Sequence, residues 1–169
     1  GQGKAEIVFK PGTLKEAVDG LRECIKYNVV IIPQGRNTGL TGGSVPRSDI
    51  CNRPVIIFNM TRLNKIYPIG EQMLCFSGAG IHDLSILASK YNRESHTILG
   101  SIFLNPTVGA GLAFGSGGTQ IRKGPAYTER ALWCTINENN EVVLKNTLGI
   151  GTNSNLNEQE LFHLLESGS

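Results

Sequence analysis

The segment from residue 33 to residue 44 combines residue types that could bind a phosphate group. It reads P-Q-G-R-N-T-G-L-T-G-G-S and places four glycines among small hydroxyl and amide side chains. Some positions of such a loop need a positive φ, and a missing Cβ lets main-chain N–H groups approach an anion directly. The preceding run, residues 29 to 32, is β-branched throughout, which is typical of a buried strand. The sequence therefore predicts a diphosphate-binding loop at the end of a strand.

The elements that must position this loop form a β-α-β unit. Residues 6 to 9 are largely apolar and are soon followed by a Pro-Gly pair, which is typical of a short strand that enters a turn. Thr13 and Glu16 have the spacing of a capping box, and apolar residues then recur at helical spacing to about Tyr27. Two strands joined by a helix should run parallel, and ligands bind at the carboxyl edge of such a sheet. We therefore expect the loop at that edge.

Strand and helix patterns alternate along the rest of the chain. They predict strands at residues 55–58, 65–67 and 73–76, a helix that opens at 78–80, a buried helix at 107–114, a hairpin at 131–136 and 141–145, and a last helix at 158–166. Parallel strands at first and hairpins later indicate an α+β (α/β) domain.

Length and charge limit the classes of protein that fit this sequence. A chain of 169 residues is long enough for one domain with its own core. The net charge of +2 is too small to indicate a nucleic acid or an anionic membrane as a partner. No apolar run approaches the ~20 residues of a spanning helix, and nothing resembles a signal peptide. We therefore expect the chain itself to be soluble and intracellular.

Glycine and cysteine contents exclude further classes. The 21 glycines are not periodic and 40% of the residues are hydrophobic, which argues against a collagen-like or a disordered chain. Cys24, Cys51, Cys75 and Cys134 are far apart, with no C-x-x-C pair and no neighbouring pair of histidines. We therefore predict free structural thiols and no metal site.

Two common nucleotide-binding motifs do not fit the glycine-rich segments. A P-loop needs a lysine after its last glycine, and the loop at residues 33 to 44 has none. A Rossmann fingerprint needs a glycine three places after G-x-G, but Asp83 stands at that place after residues 78 to 80. The G-x-G at residues 109 to 111 has its next glycine one place late.

Taken in order, the segments resemble the PCMH-type FAD-binding domain of the vanillyl-alcohol oxidase superfamily. The resemblance rests on the loop at residues 33 to 44, an N-x-x-R-L-N-K-I segment at 59 to 66, a G-x-G turn into a helix at 78 to 84, and a small-residue run ending in G-G at 107 to 118. Their shared order and spacing make the signal specific, although each glycine cluster alone would be weak.

Within that superfamily the sequence is most similar to the bacterial quinone-dependent D-lactate dehydrogenases. The likeness rests on N-T-G-L-T-G-G-S at residues 37 to 44, G-P-A-Y-T-E at 124 to 129 and N-T-L-G-I at 146 to 150. Two positions depart from the pattern of that family: Gly115 replaces an asparagine, and the Asn105-Pro106 pair replaces small residues.

The resemblance implies a particular domain organisation. Residues 1 to 150 would form the FAD-binding domain, with an N-terminal βαβ unit, a second mixed or antiparallel sheet with helices, and a division into two subdomains near residues 60 to 65. Residues 151 to 169 would form a polar tail with a short helix. The family continues with a further part of the FAD-binding domain and a cap domain, so we expect this chain to be an incomplete domain from a longer protein.

The resemblance also implies FAD as the cofactor and assigns residues to it. Noncovalent binding is expected, because the first loop contains neither histidine nor cysteine. The diphosphate would be held by the main-chain N–H groups of Gly35, Arg36, Asn37, Thr38 and Gly39. The loop would be closed by Gly43 and Ser44. Near the flavin and ribityl group would lie Gly100 and Thr107, and Gly117 would let a turn pass close to FAD.

Two of these interpretations have alternatives. Gly117 with Gly118 could form a tight turn only, without a role in binding. His96 could reach the isoalloxazine ring, or it could be a loop histidine bonded to the main chain. We assign no catalytic residue and no general base from the sequence.

The implied activity is that of a FAD-dependent oxidoreductase. The parent protein would oxidise D-lactate to pyruvate and pass electrons to a quinone. It would act as a peripheral protein at the cytoplasmic side of the bacterial inner membrane, and would contact the membrane surface only through segments outside this chain. Two alternatives stay open: another 2-hydroxy acid dehydrogenase of the superfamily, of the glycolate or D-2-hydroxyglutarate type, or a non-catalytic fragment with the FAD-binding fold. We expect the 169-residue chain alone to be inactive.

Overall fold

Helices and small sheets alternate along the chain. The computed structural model describes residues 3–47, 51–94, 102–116, 130–152 and 155–168. In chain order, the elements are β1 Ile7–Phe9, α1 Leu14–Lys26, β2 Val30–Gln34, β3 Val55–Asn59, β4 Ile66–Ile69, β5 Gln72–Cys75, α2 Ile81–Lys90, a short 3-10 helix Ile102–Leu104, α3 Val108–Ala113, β6 Leu132–Ile136, β7 Val142–Asn146 and α4 Glu158–Ser167.

The first three strands form a parallel sheet in the order β1-β3-β2. Ile7 pairs with Ile56 on one side of β3, and Val30 pairs with Val55 on the other. The parallel direction of β1 and β2 is as predicted, but β3 lies between them. All three strands therefore present their carboxyl ends at one edge of the sheet, where the loop after β2 begins.

Helix α1 begins at a cap that matches the prediction only in part. The Thr13 side chain accepts a hydrogen bond from the Glu16 main-chain N–H (3.1 Å), as a capping box requires. The Glu16 carboxylate, however, accepts from the N–H of Gly12 (2.6 Å) rather than from that of Thr13. The predicted helix is confirmed, and its capping box is incomplete.

The later strands form two antiparallel hairpins. β4 pairs with β5, and β6 pairs with β7 in a register that sets Leu132 against Asn146. The turns contain Gly70 and Asn140, whose φ values are +55° and +59°. Glycine and asparagine tolerate this left-handed conformation better than other residues do. The hairpin predicted from turn chemistry is confirmed within one residue.

Residues 107 to 114, which we expected to be buried if helical, contain helix α3, but this helix is not buried on all sides. Gly111 is buried, whereas Leu112 and Phe114 are 38% and 80% exposed. The helix packs through its glycines, since a Cβ on Gly109 would lie 2.8 Å from Ser77. Its larger side chains face away from that contact.

The last helix, α4, is part of the hydrophobic core. Leu161, Phe162 and Leu165 are only 7%, 4% and 3% exposed. The Glu166 main-chain oxygen accepts from the hydroxyl of Tyr67 at 2.7 Å. These contacts join α4 to the hairpin of β4 and β5, so a segment that is polar in sequence serves as a packing element.

Helices α1 and α4 are also joined by a two-point ion pair. Arg22 donates from Nη1 to Oε1 of Glu158 (3.0 Å) and from Nη2 to Oε2 (2.8 Å). Because both side chains are partly exposed, we expect a coupling energy of about 0.5 kcal/mol in a double-mutant cycle of Arg22→Ala and Glu158→Ala. Urea denaturation would measure it. The contact between Lys26 and Glu23 (3.4 Å), which lies within α1, is the reference pair; zero coupling between Arg22 and Glu158 would contradict the assignment.

Candidate functional site

The predicted loop leaves the parallel sheet at its carboxyl edge. Its first two residues, 33 and 34, still pair with β3 as the end of β2, so the loop proper begins at Gly35. Two amide side chains fix its ends. Asn59, the buried last residue of β3, donates from Nδ2 to the Gln34 Oε1 (2.7 Å) and to the Gly35 main-chain oxygen (3.1 Å). Gln34 in turn donates from Nε2 to the main-chain oxygen of Ser44 (2.9 Å). Gln34 and Asn59, each of which ends a strand beside the loop, are not among the predicted site residues.

The main-chain N–H groups of the loop are free to bind a ligand. In the part of the chain that the structure describes, no N–H of residues 36 to 44 donates a hydrogen bond to another residue. A Cβ built on Gly39, Gly42 or Gly43 would meet nothing within 4 Å. Groups of oriented N–H donors in loops of this kind attract anions.

One side-chain hydrogen bond closes the loop across its open part. The hydroxyl of Ser44 donates to the Oδ1 of Asn37 (2.5 Å), which joins the end of the loop to a residue near its start. Asn37 and Gly42 have φ values of +57° and +72°. The sequence prediction of positive φ in this loop is confirmed at these two residues, one of which is not a glycine.

The glycines at residues 78 and 80 serve a different purpose. A Cβ on Gly78 would lie 2.0 Å from the main-chain oxygen of Met60, and one on Gly80 would lie 2.0 Å from the Oδ1 of Asn105. The N–H of Gly78 is already used, since it donates to the main-chain oxygen of Leu63 (2.7 Å). These glycines allow close packing of the main chain, whereas those at residues 39 to 43 border open space.

Thr107 lies behind the loop. Its side chain is 1% exposed, and its Oγ1 would be 2.3 Å from a Cβ on Gly35. The same oxygen accepts a long hydrogen bond from the N–H of Ala110 (3.4 Å) at the start of α3. The structure therefore brings two of the predicted site residues together, and the absence of a side chain at Gly35 is what lets Thr107 approach.

The side chain of Arg36 points toward helix α2. Its Nη2 lies 3.6 Å from the Oδ2 of Asp83, and both side chains are substantially exposed. An exposed ion pair of this kind contributes little to stability. The contact does show that the guanidinium group of Arg36 is directed toward the first turn of α2.

Several sequence predictions fall on residues that the structure does not describe, namely Gly100, Gly117, His96 and the segment at residues 124 to 129. His82 is exposed on α2 and His163 on α4. The described site therefore consists of the loop at residues 35 to 44 with its supporting neighbours.

The sequence relatives are dehydrogenases of 2-hydroxy acids. The quinone-dependent D-lactate dehydrogenases of Haemophilus influenzae and Escherichia coli are each 38% identical to the chain over 152 residues. The match covers 89% of this chain and 27% of each relative, so the chain spans about a quarter of their length. The mitochondrial D-2-hydroxyglutarate dehydrogenase of Rattus norvegicus is 31% identical over 87 residues, which are 50% of this chain and 15% of that protein. No family model matches the sequence.

Solved structures with the same fold include oxidases and a synthase. An alkyldihydroxyacetonephosphate synthase superposes with a TM-score of 0.67 at 24% identity, covering 87% of this chain and 27% of that protein. Cholesterol oxidase from Brevibacterium sterolicum superposes with a TM-score of 0.62 at 18% identity, covering 82% and 28%. The chain therefore shares the fold of these proteins, and in sequence it is similar to the quinone-dependent D-lactate dehydrogenases. The expected fold class, with its βαβ unit and its antiparallel strands, is confirmed.

The described residues also enclose a cavity that is separate from residues 35 to 44 of the loop. It has a volume of about 1290 Å³ and lies between α1, α4 and the two hairpins. Its lining is mostly apolar and includes none of residues 34 to 47. Because a diphosphate needs polar donors, the open loop and not this cavity is the candidate site.

Cys75 lines that cavity, and burial raises the pKa of its thiol from 9.0 to about 11. Only the thiolate reacts with alkylating agents. We therefore expect iodoacetamide to modify Cys75 slowly at pH 8, with a rate that rises about tenfold per pH unit toward pH 11. Mass spectrometry of the modified peptide would measure the rate. The same cysteine in urea-unfolded protein is the control, and equal rates in the two states at pH 8 would contradict the prediction.

The described ranges contain no group of three or more His, Cys, Asp or Glu side chains arranged to hold a metal ion. None of their helices is both long enough and apolar enough to span a bilayer.

Proposed function

We propose that the loop at residues 35 to 44 binds the diphosphate of FAD. The observation that carries the proposal is the set of free N–H groups bordered by the open positions at Gly39, Gly42 and Gly43. A diphosphate is anionic and needs several fixed donors at once, and hydrogen bonds to charged groups are the stronger kind. In this proposal Gly43 and Ser44 close the loop, Gly100 and Thr107 lie near the flavin and ribityl group, and Gly117 lets a turn pass close to the cofactor.

The whole protein is proposed to oxidise D-lactate to pyruvate and to pass the electrons to a quinone. Support comes from the 38% identity to quinone-dependent D-lactate dehydrogenases over 89% of this chain. When bound, FAD supplies the acceptor for the hydride of a 2-hydroxy acid. The residues of this chain bind the diphosphate and so fix the cofactor in one orientation.

Location and cofactor attachment follow from the same proposal. A quinone acceptor resides in a membrane, so the protein acts as a peripheral protein at the cytoplasmic face of the bacterial inner membrane, through segments outside this chain. FAD is held without a covalent bond, because residues 33 to 44 include no histidine or cysteine to attach it. The 169-residue chain alone is expected to be inactive, because its described loop holds the end of FAD remote from hydride transfer.

Reduction of the bound flavin tests the activity. The full-length protein should be yellow as purified, and D-lactate should bleach it under anaerobic conditions while L-lactate does not. Acid precipitation should release the colour into the supernatant if the cofactor is noncovalent. A colourless protein that takes up no FAD, or a flavin that D-lactate leaves oxidised, would contradict the proposal.

The second candidate substrate is D-2-hydroxyglutarate. It is favoured by the 31% identity to the rat D-2-hydroxyglutarate dehydrogenase over half of this chain. Anaerobic stopped-flow measurements with D-lactate, glycolate and D-2-hydroxyglutarate would rank the three. Fastest flavin reduction by D-2-hydroxyglutarate would replace the first candidate by the second and leave the FAD assignment unchanged.

A further inference from the structure

Asn105 occupies an unusual position beside the loop. It follows the 3-10 helix Ile102–Leu104, has a φ of +51°, and donates its main-chain N–H to the oxygen of Ile102 (2.8 Å). Asparagine tolerates this left-handed conformation better than most residues. The turn therefore projects an amide side chain from residue 105 toward the first turn of α2.

The amide oxygen of Asn105 caps helix α2. The N-cap residue, Gly80, has no side chain to do so. Instead, the Oδ1 of Asn105 accepts from the main-chain N–H of His82 (3.0 Å). Any Cβ at Gly80 would collide with this oxygen at 2.0 Å, so the glycine makes room for a cap that comes from another segment.

The amide nitrogen of Asn105 reaches the loop through one further residue. Its Nδ2 donates to the Oδ2 of Asp83 (2.8 Å), and the same oxygen lies 3.6 Å from the Nη2 of Arg36. Arg36 directly follows Gly35 in the loop. Hydrogen bonds to charged groups are stronger than neutral ones, so the amide fixes the carboxylate that faces Arg36.

The same segment supports the loop by a second route. Gly80 and Thr107 form an antiparallel bridge, and the N–H of Ile81 donates to the main-chain oxygen of Pro106 (2.9 Å). Thr107 then packs against Gly35. The start of α2 and residues 105 to 107 thus form one unit against the beginning of the loop.

We propose that Asn105 is a positioning residue for the diphosphate loop. It orients Asp83, and through Asp83 it holds Arg36 and the adjacent N–H groups in the arrangement that binds FAD. The inference rests on the proposed FAD-binding role. An exposed ion pair alone is weak; anchoring one of its partners by a hydrogen bond removes part of the entropy cost of ordering the loop.

An exchange of donor and acceptor tests the proposal in the full-length protein. Asn105→Asp keeps the oxygen that caps α2 but replaces the donor to Asp83 by a repelling carboxylate. Asp83→Asn combined with Asn105→Asp restores a hydrogen bond with its direction reversed. Asn140→Asp is the matched control, because Asn140 also has a positive φ (+59°) but lies in the turn between β6 and β7.

Binding of FAD to the apoprotein, followed by flavin fluorescence, is the readout. Asn105→Asp should weaken binding about tenfold, the scale of one hydrogen bond to a charged group. It should lower the melting temperature of the apoprotein only slightly, since aspartate is an equally good cap and the repulsion with Asp83 is between exposed side chains. The double variant restores the hydrogen bond but leaves Arg36 facing a neutral amide, so it should recover only part of the lost affinity, and Asn140→Asp should stay within about twofold of wild type.

Two results would overturn the inference while leaving the proposed function intact. One is wild-type affinity in Asn105→Asp, and the other is a double variant that binds no better than Asn105→Asp alone. Failure of the wild-type protein to bind FAD is a distinct result: it would contradict the proposed function and, with it, the positioning role.

Discussion

Replacing Gly39 by valine is expected to abolish FAD retention by the protein. The residue lies in the open part of the loop, where a Cβ meets no other atom within 4 Å in the described structure. A valine side chain there would occupy the space from which a phosphate approaches the N–H groups. Loss of two hydrogen bonds to a charged group would weaken binding at least about a hundredfold.

The same substitution should leave the stability of the protein nearly unchanged. Gly39 does not have a positive φ, so an L-residue fits its backbone conformation. Exposed substitutions of this kind alter the free energy of unfolding by less than about 0.5 kcal/mol. Leu40→Val is the control within the loop, because Leu40 is fully exposed and already carries a side chain.

Flavin absorbance after gel filtration and the dissociation constant from FAD titration would measure the effect. Gly39→Val should elute colourless with a normal melting temperature, while Leu40→Val should retain its flavin. Normal FAD binding by Gly39→Val would show that the loop is not the diphosphate site.

Replacing Gly78 by alanine is expected to prevent normal folding. The new Cβ would lie 2.0 Å from the main-chain oxygen of Met60 and 2.8 Å from that of Leu63. Neither oxygen can rotate away as a flexible side chain would, and Leu63 belongs to the buried core. Overpacking against the main chain should cost about 3 kcal/mol or more in the free energy of unfolding.

Thermal denaturation and the soluble yield would test this expectation. Gly39→Ala is the matched control, since it adds the same methyl group where there is open space. Gly78→Ala should be largely insoluble or melt well below wild type, whereas Gly39→Ala should match wild type. Equal melting temperatures for the two variants would show that the glycines do not differ in this way.

The glycines at residues 39 and 78 differ in a way that the sequence does not reveal. In sequence, residues 35 to 43 and residues 78 to 80 are both glycine-rich turns after a short strand. The first was correctly assigned positive φ values, at Asn37 and Gly42. Only the folded structure shows that the second is filled by the main chain at Met60 and the side chain of Asn105.

Local patterns were sufficient for most of the secondary structure. Apolar periodicity and turn residues predicted α1, the β6-β7 hairpin and α4 to within a few residues. These signals depend on neighbours close in sequence, such as Thr13 with Glu16. The order of motifs also carried the resemblance to PCMH-type domains, which the fold confirms.

Contacts between distant segments were decided by tertiary structure alone. The polar composition of residues 151 to 169 concealed the burial of Leu161, Phe162 and Leu165, because a helix needs only one apolar stripe to join a core. The insertion of β3 between β1 and β2 and the approach of Thr107 to Gly35 join residues far apart in the chain. Sequence periodicity identifies the faces and turns, whereas packing in three dimensions determines which of them meet.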